Sequence, residues 1–223
     1  MELNTCDLLL CSGNGTMSQI IVAMNRAQAI KDAVADGSAT FKWLSGELQT
    51  DLSLQLSHLA LAINITEEEH EANAQLWHYI PSPGVYVWES TTGNTDWSGV
   101  SGVQINPYAK WLEMYDGRVW KRNIVPETPI HNTKAITDMI NMVGLPYESG
   151  IPGLLELALT FNKDIRIDTE EPHCTEGGVI VNKKHGIFKP ETDEHKMPPC
   201  KFGNGQVIES LVNGEISPMR WLK

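Results

Sequence analysis

A chain of 223 residues with 41% hydrophobic and 20% charged side chains carries enough apolar material for one sizeable core. Its formal net charge is −11 and no run of Lys and Arg exceeds two residues, which excludes the basic patch that a nucleic acid or an anionic membrane surface requires. No apolar stretch nears the roughly 18 to 20 residues that span a bilayer, and the opening MELNTCDLLLC lacks the basic region and apolar core of an export signal.

A cytoplasmic setting is therefore the expectation. Cys6, Cys11, Cys174 and Cys200 read as reduced thiols, since no two of them form a C-x-x-C pair.

Asp7 to Cys11 (DLLLC) is an apolar run ended by SGNG, which predicts a buried strand and a turn. Met17 to Asp36 has apolar residues near helical spacing, with Ser18 as its expected N-cap and a stop near Gly37. Leu54 to Ile65 predicts a strand with His58, Ala60 and Ala62 on one face and Leu59, Leu61 and Ile63 on the other. The small residues beside His58 leave room for a helix on that face. Glu67 to Trp77 predicts a short acidic helix, and Pro81 to Gly84 a loop. Val85 to Thr91 (VYVWEST) is the clearest strand, with Val85, Val87 and Glu89 opposite Tyr86 and Trp88.

Gly102 to Ile105 predicts another strand, and Pro107 to Tyr115 one or two helical turns ended at Asp116-Gly117. Arg118 to Ile124 returns as a strand. Lys134 to Val143 predicts a helix between Thr133 and Gly144, followed by a shorter one at Gly153 to Thr160. A further helix opens at Cys174, and Asn204 to Val212 forms the last. No linker divides the chain, so the expectation is a single α+β domain over 1–223 with mostly antiparallel pairing.

The segment EPHCTEGGVIVN, Glu171 to Asn182, concentrates the chemistry. A helix start at Cys174 directs N–H groups at its sulfur and favours the thiolate, and Pro172 is compatible with that start. A thiol nucleophile also needs a His within hydrogen-bond reach and a polar group to orient that His. His58 is a candidate base. Glu89, a carboxylate in an apolar strand, needs a partner if buried and is a candidate orienter. Gln104 is the alternative orienter.

Other readings stand beside this one. Cys174 is equally readable as a small buried hydrophobe. His58 fits a satisfied core position, and Glu89 faces solvent if Tyr86 and Trp88 form the buried face. A zinc ion would draw on His173, Cys174, His185, His195 and Cys200, but those spacings match no usual structural-zinc pattern, so no metal or cofactor is expected. His173 points about 100° away from its neighbour on a helix and is a poor base for it. Glu170 and Glu171 oppose a thiolate. His70, His78 and His131 read as surface residues. Trp88, Trp97, Trp111 and Trp120 read as packing, while Trp43 and Trp97 sit in loop-like segments from which they could border a cleft.

Taken in order, DLLLCSGNGTMSQII, LSHLALAI, VYVWEST, GVQINP and HCTEGGVIV resemble the circularly permuted papain-like fold. The closest likeness is to the YiiX-like group of NlpC-type cysteine peptidases, related in architecture to lecithin:retinol acyltransferase. That resemblance implies a mostly antiparallel sheet packed against helices, with an insertion at about 33–53 and a C-terminal extension from about 190. It implies Cys174 as nucleophile, His58 as general base and Glu89 as the residue orienting it. Asp7 and Glu176 match structural positions. The implied activity is hydrolysis of an amide, isopeptide or ester through a Cys174 thioester, on a peptide or lipid substrate. An acyltransferase, or an idle relative that binds without catalysis, are the alternatives. A cell-wall substrate would call for delivery by a phage or a secretion system. Where the family continues with Leu-Val after the nucleophile segment, this chain has Gly177-Gly178.

Overall fold

Leu8, Leu9, Leu10 and Cys11 are all buried because β1 (Leu8–Gly13) is an inner strand of a sheet covered on both faces. The computed structural model describes residues 3–39, 42, 46, 51–73, 78–91, 101–147, 174–194, 197–204 and 206–223. Within them the chain runs β1, α1 (Thr16–Ala35), β2 (His58–Ile65), α2 (Glu67–Asn73), β3 (Gly84–Thr91) and β4 (Gly102–Pro107). It continues with α3 (Tyr108–Met114), β5 (Gly117–Arg122), β6 (Ile124–Pro126) and α4 (Asn132–Asn141). After α5 (Cys174–Lys184) come two short helices, α6 (Pro199–Gly203) and α7 (Gln206–Glu209), and then β7 (Gly214–Ile216) and β8 (Arg220–Trp221).

Six strands form one antiparallel sheet in the order β4-β3-β2-β1-β5-β8, and β6 pairs with β7 in a separate ribbon. The protein is thus α+β with a mostly antiparallel sheet and packed helices. Among the described residues no helix is long and apolar enough to cross a membrane.

Alternation along each strand divides the apolar residues between two cores. Leu8, Leu10, Leu59, Leu61, Ile63, Trp88 and Val103 face the larger one, which α4 and α5 cover. Leu9, Cys11, Ala60, Ala62, Val87 and Val119 face the smaller one, which α3 covers with Trp111 and the adjoining Tyr115.

α5 approaches the sheet at its two glycines. A Cβ on Gly177 would lie 2.7 Å from the Trp88 ring, and one on Gly178 would lie 2.9 Å from Leu59 Cδ2. Glycine inside a helix costs about 1 kcal/mol relative to Ala. Here that cost is offset by direct contact of helix backbone with buried strand side chains. The glycine pair is therefore a packing device.

Several expectations shift. The N-cap of α1 is Gly15, without a side-chain cap bond, and Ser18 lies inside the helix. Asp51 starts a single 3-10 turn at Leu52–Gln55, so β2 begins at His58 and not at Leu54. The helix that carries Cys174 packs on the leucine face of β2, whereas α3 takes the Ala60 and Ala62 face. The N-cap of α4 is His131 and not Thr133, while Gly144 follows with a φ of 91°. Asn204 to Val212 holds only the short α7, and Leu211 pairs with Phe188 in an isolated bridge just beyond it. The expected helix at 153–160, Trp43, Trp97, Glu170, Glu171, Pro172, His173 and His195 lie outside the described residues.

The segment after Lys189 is anchored by Arg122, which is buried at the end of β5. Its Nε donates to the Ser217 carbonyl at 2.7 Å, and Nη1 donates to the carbonyls of Phe202 at 2.8 Å and Asn204 at 3.1 Å. Asp7 has the structural place expected of it. It accepts from the N–H groups of Asn4 at 2.8 Å and Ile124 at 2.9 Å.

Candidate active site

Antiparallel pairing places Glu89 opposite Ala60, two residues from His58 along β2. Alternate residues share a face, so His58 and Glu89 point the same way. Their side chains meet, with His58 Nε2 lying 2.8 Å from Glu89 Oε2. Glu89 is 0% exposed. A bare carboxylate there would be very costly, and it is fully occupied instead. Its Oε1 accepts from Trp111 Nε1 at 2.9 Å and from Gln104 Nε2 at 3.2 Å. Gln104, directly opposite Glu89 on β4, thus orients the carboxylate and not the imidazole.

His58 opens β2, and this is what frees its ring. The β2–β3 ladder stops at the Ala60–Glu89 pair, while β2 extends beyond it to Leu59 and His58. The start of α5 occupies this gap. Cys174 is 5% exposed and lies beside the His58 ring, close enough for the two to interact electrostatically. The backbone N–H groups of Leu59 and Thr175 lie near enough to favour its ionised form. With Nε2 committed to Glu89, Nδ1 is the nitrogen left to face the thiol.

Electrostatics at the pair follow from these contacts. Burial pushes the Cys174 thiol up, but the His58 ring and the two N–H groups outweigh it, and the net direction is down. Burial pulls His58 down, while the Cys174 sulfur and Glu89 raise it to about 10. The two shifts run in the direction that favours a proton on His58 over one on Cys174. The other three thiols lie on the opposite side of the ordinary value. Burial and Asp7 push Cys6 up to about 12, and burial pushes Cys200 up to about 11. Burial, together with the Glu89 charge, pushes Cys11 well above the usual range.

Two contributors were not singled out by the sequence. Trp111 serves Glu89, and Tyr115 lies nearly parallel to His58, with ring centroids 6.4 Å apart and planes 19° from each other. Burial, Cys11 and Glu89 hold the Tyr115 phenol well above its usual range, so it stays neutral. Their spacing in PYAKWLEMY, i and i+4, is a visible sign that they share one helical face. What that face meets is set by long-range pairing.

The remaining candidates lie elsewhere. His78 and His131 are exposed, and His70 is half-buried with Nε2 at 2.9 Å from the Ile80 carbonyl. His185 sits 3.0 Å from Asp138 at the far end of α5. Among the described residues no group of three or more His, Cys, Asp or Glu side chains is arranged to hold a metal ion. Glu176 is buried in the first turn of α5.

No protein-family model matches the chain, and no curated protein matches it in sequence.

Proposed function

We propose that this protein is a cysteine hydrolase of permuted papain-like architecture, with Cys174 as nucleophile, His58 as acid and base, and Glu89 as the group that holds His58. One observation carries the reading. A buried Cys at a helix start, a His and a fully hydrogen-bonded Glu form a continuous chain, and the Cys is the one thiol among the four whose pKa is driven down.

The Cys174 thiolate attacks an amide, isopeptide or ester carbonyl. N–H groups of the first turn of α5 are suited to receive the oxyanion. The His58 imidazolium protonates the leaving group, which departs and leaves a thioester on Cys174. His58, now neutral, takes a proton from water; the resulting hydroxide releases the acyl group and regenerates the thiol pair. Exchange of water for another acceptor would make the same site an acyltransferase. A peptide or lipid amide or ester is the proposed substrate class. An idle binding protein is disfavoured by a fully hydrogen-bonded carboxylate at 0% exposure, and the Gly177-Gly178 pair that motivated it has a packing role.

Thiol alkylation tests this directly. Limiting iodoacetamide at neutral pH is expected to label Cys174 well before Cys6, Cys11 and Cys200, and His58→Ala should abolish the preference. Equal labelling of all four thiols would sink the reading. A panel of activated esters and amides then reports turnover, which Cys174→Ala must eliminate.

A further inference from the structure

We infer that Lys223 is a positioning residue of this site: its ammonium group holds α3 in place, and α3 holds His58 and Glu89. The inference rests on the thiol-enzyme reading above and adds a residue distant in sequence from all three members of the triad.

Besides Gln104 of β4, two side chains back the triad on the smaller core, and both belong to one short piece of chain. Trp111 lies in α3 and donates to Glu89, and Tyr115, which stacks on His58, is the residue that ends α3. α3 is seven residues long and has no side-chain bond at its N-cap. A helix of that length has little stability of its own, and its last carbonyls lack partners within the helix.

Lys223 supplies those partners. Its Nζ donates to the carbonyls of Leu112 at 2.9 Å, Glu113 at 3.0 Å and Tyr115 at 2.7 Å. All three ammonium protons are used, and the positive charge sits at the negative end of the helix. Lys223 is itself fixed by backbone bonds. Val119 N–H donates to the Lys223 carbonyl at 2.8 Å, and Lys223 N–H donates to the Val119 carbonyl at 3.2 Å. Leu222 packs against the smaller core beside Trp111 and Tyr115. β8, just before it, is paired to β5. The shortest of the three ammonium bonds goes to Tyr115, the residue in contact with the catalytic imidazole.

The test reads the ionisation of Cys174 in the full chain, and so needs no substrate. The rate of Cys174 alkylation by iodoacetamide is followed against pH by peptide mass spectrometry for the unmodified protein, Lys223→Met and Lys223→Arg. Lys223→Met keeps the length of the side chain and removes its donors. It is expected to loosen α3, to move the Cys174 midpoint up by about one pH unit, and to slow alkylation near the acid limb about tenfold. Lys223→Arg keeps charge and donors and is expected to restore most of the profile. A Lys223→Met protein that melts at a lower temperature but keeps the original midpoint overturns the inference, because that is the result for a cap with only a structural role. If Lys223→Met does not fold, Trp111→Phe takes its place, and an unchanged midpoint there overturns it equally. A Cys174 that titrates as an ordinary thiol in the unmodified protein removes the enzyme reading and this one together. A depressed midpoint that survives Lys223→Met removes this one alone.

Discussion

Glu89 makes the case for a tuned site at the level of single residues. Three donors converge on one carboxylate, so its charge is held next to His58 with little freedom to move. Glu89→Gln keeps the shape and removes the charge. It should lower the thiolate fraction of Cys174 and cut alkylation at neutral pH by on the order of 10- to 100-fold, with little change in melting temperature. The pH dependence follows with a defined sign. The reactive form needs Cys174 deprotonated and His58 protonated. With Cys174 lowered and His58 raised to about 10, a plateau is expected that starts below the ordinary thiol range and ends as the pH rises through His58. Turnover of any accepted ester should trace that bell. A rate that climbs only with ordinary thiol ionisation, near pH 8.5, would contradict the ion pair.

At the level of elements, α5 is set against the sheet by two positions of unequal tolerance. In Gly177→Ala the new methyl meets Trp88, which is fully buried and donates its N–H to the Met139 carbonyl at 2.9 Å. That ring has nowhere to go. In Gly178→Ala the methyl meets a terminal carbon of Leu59, which can rotate. Overpacking costs about 1 to 3 kcal/mol against a gain of about 1 kcal/mol in helix propensity. Gly177→Ala is therefore expected to lower the denaturation midpoint and slow Cys174 alkylation, and Gly178→Ala to be near neutral. Equal effects would mean that α5 shifts as a body. This is also where reading the sequence reached its limit. The strands around Leu8, Leu61 and Trp88 were legible because alternation and buried apolar runs are local signals. LQLSHLALAI reads as one strand with His58 at its middle because its residues alternate between two faces, whereas the Asp51 cap bends the first of them into a 3-10 turn. The residues Cys174, His58 and Glu89 were visible as candidates, but their distances depend on strand register. Small residues on β2 point to the Ala60 and Ala62 face for a helix carrying Cys174, whereas the small residues that set the approach are Gly177 and Gly178 on the helix.

For the molecule as a whole, the region after Lys189 is tied to the sheet by the pairing of β8 with β5, by backbone bonds between Val119 and Lys223, and by the Arg122 side chain. Arg122 serves three carbonyls from a buried position. Arg122→Met should destabilise the protein by roughly 3 kcal/mol or more, since several bonds to a charged donor are lost at once. Arg122→Lys should recover only part of this, because a single ammonium cannot reproduce the spread of the guanidinium fork. Urea denaturation measures both, and full recovery by Lys would show that charge alone is what the site requires. The layered build has a consequence of another kind. Cys174 arrives on a helix from one side of the sheet, while Glu89 and its partners belong to the other, and they join only where β2 and β3 part. Neither layer alone contains an activated sulfur. Under the proposed mechanism, a nascent or partly unfolded chain therefore exposes four ordinary thiols, and the enhanced reactivity of Cys174 is expected only once both sides of the sheet have closed.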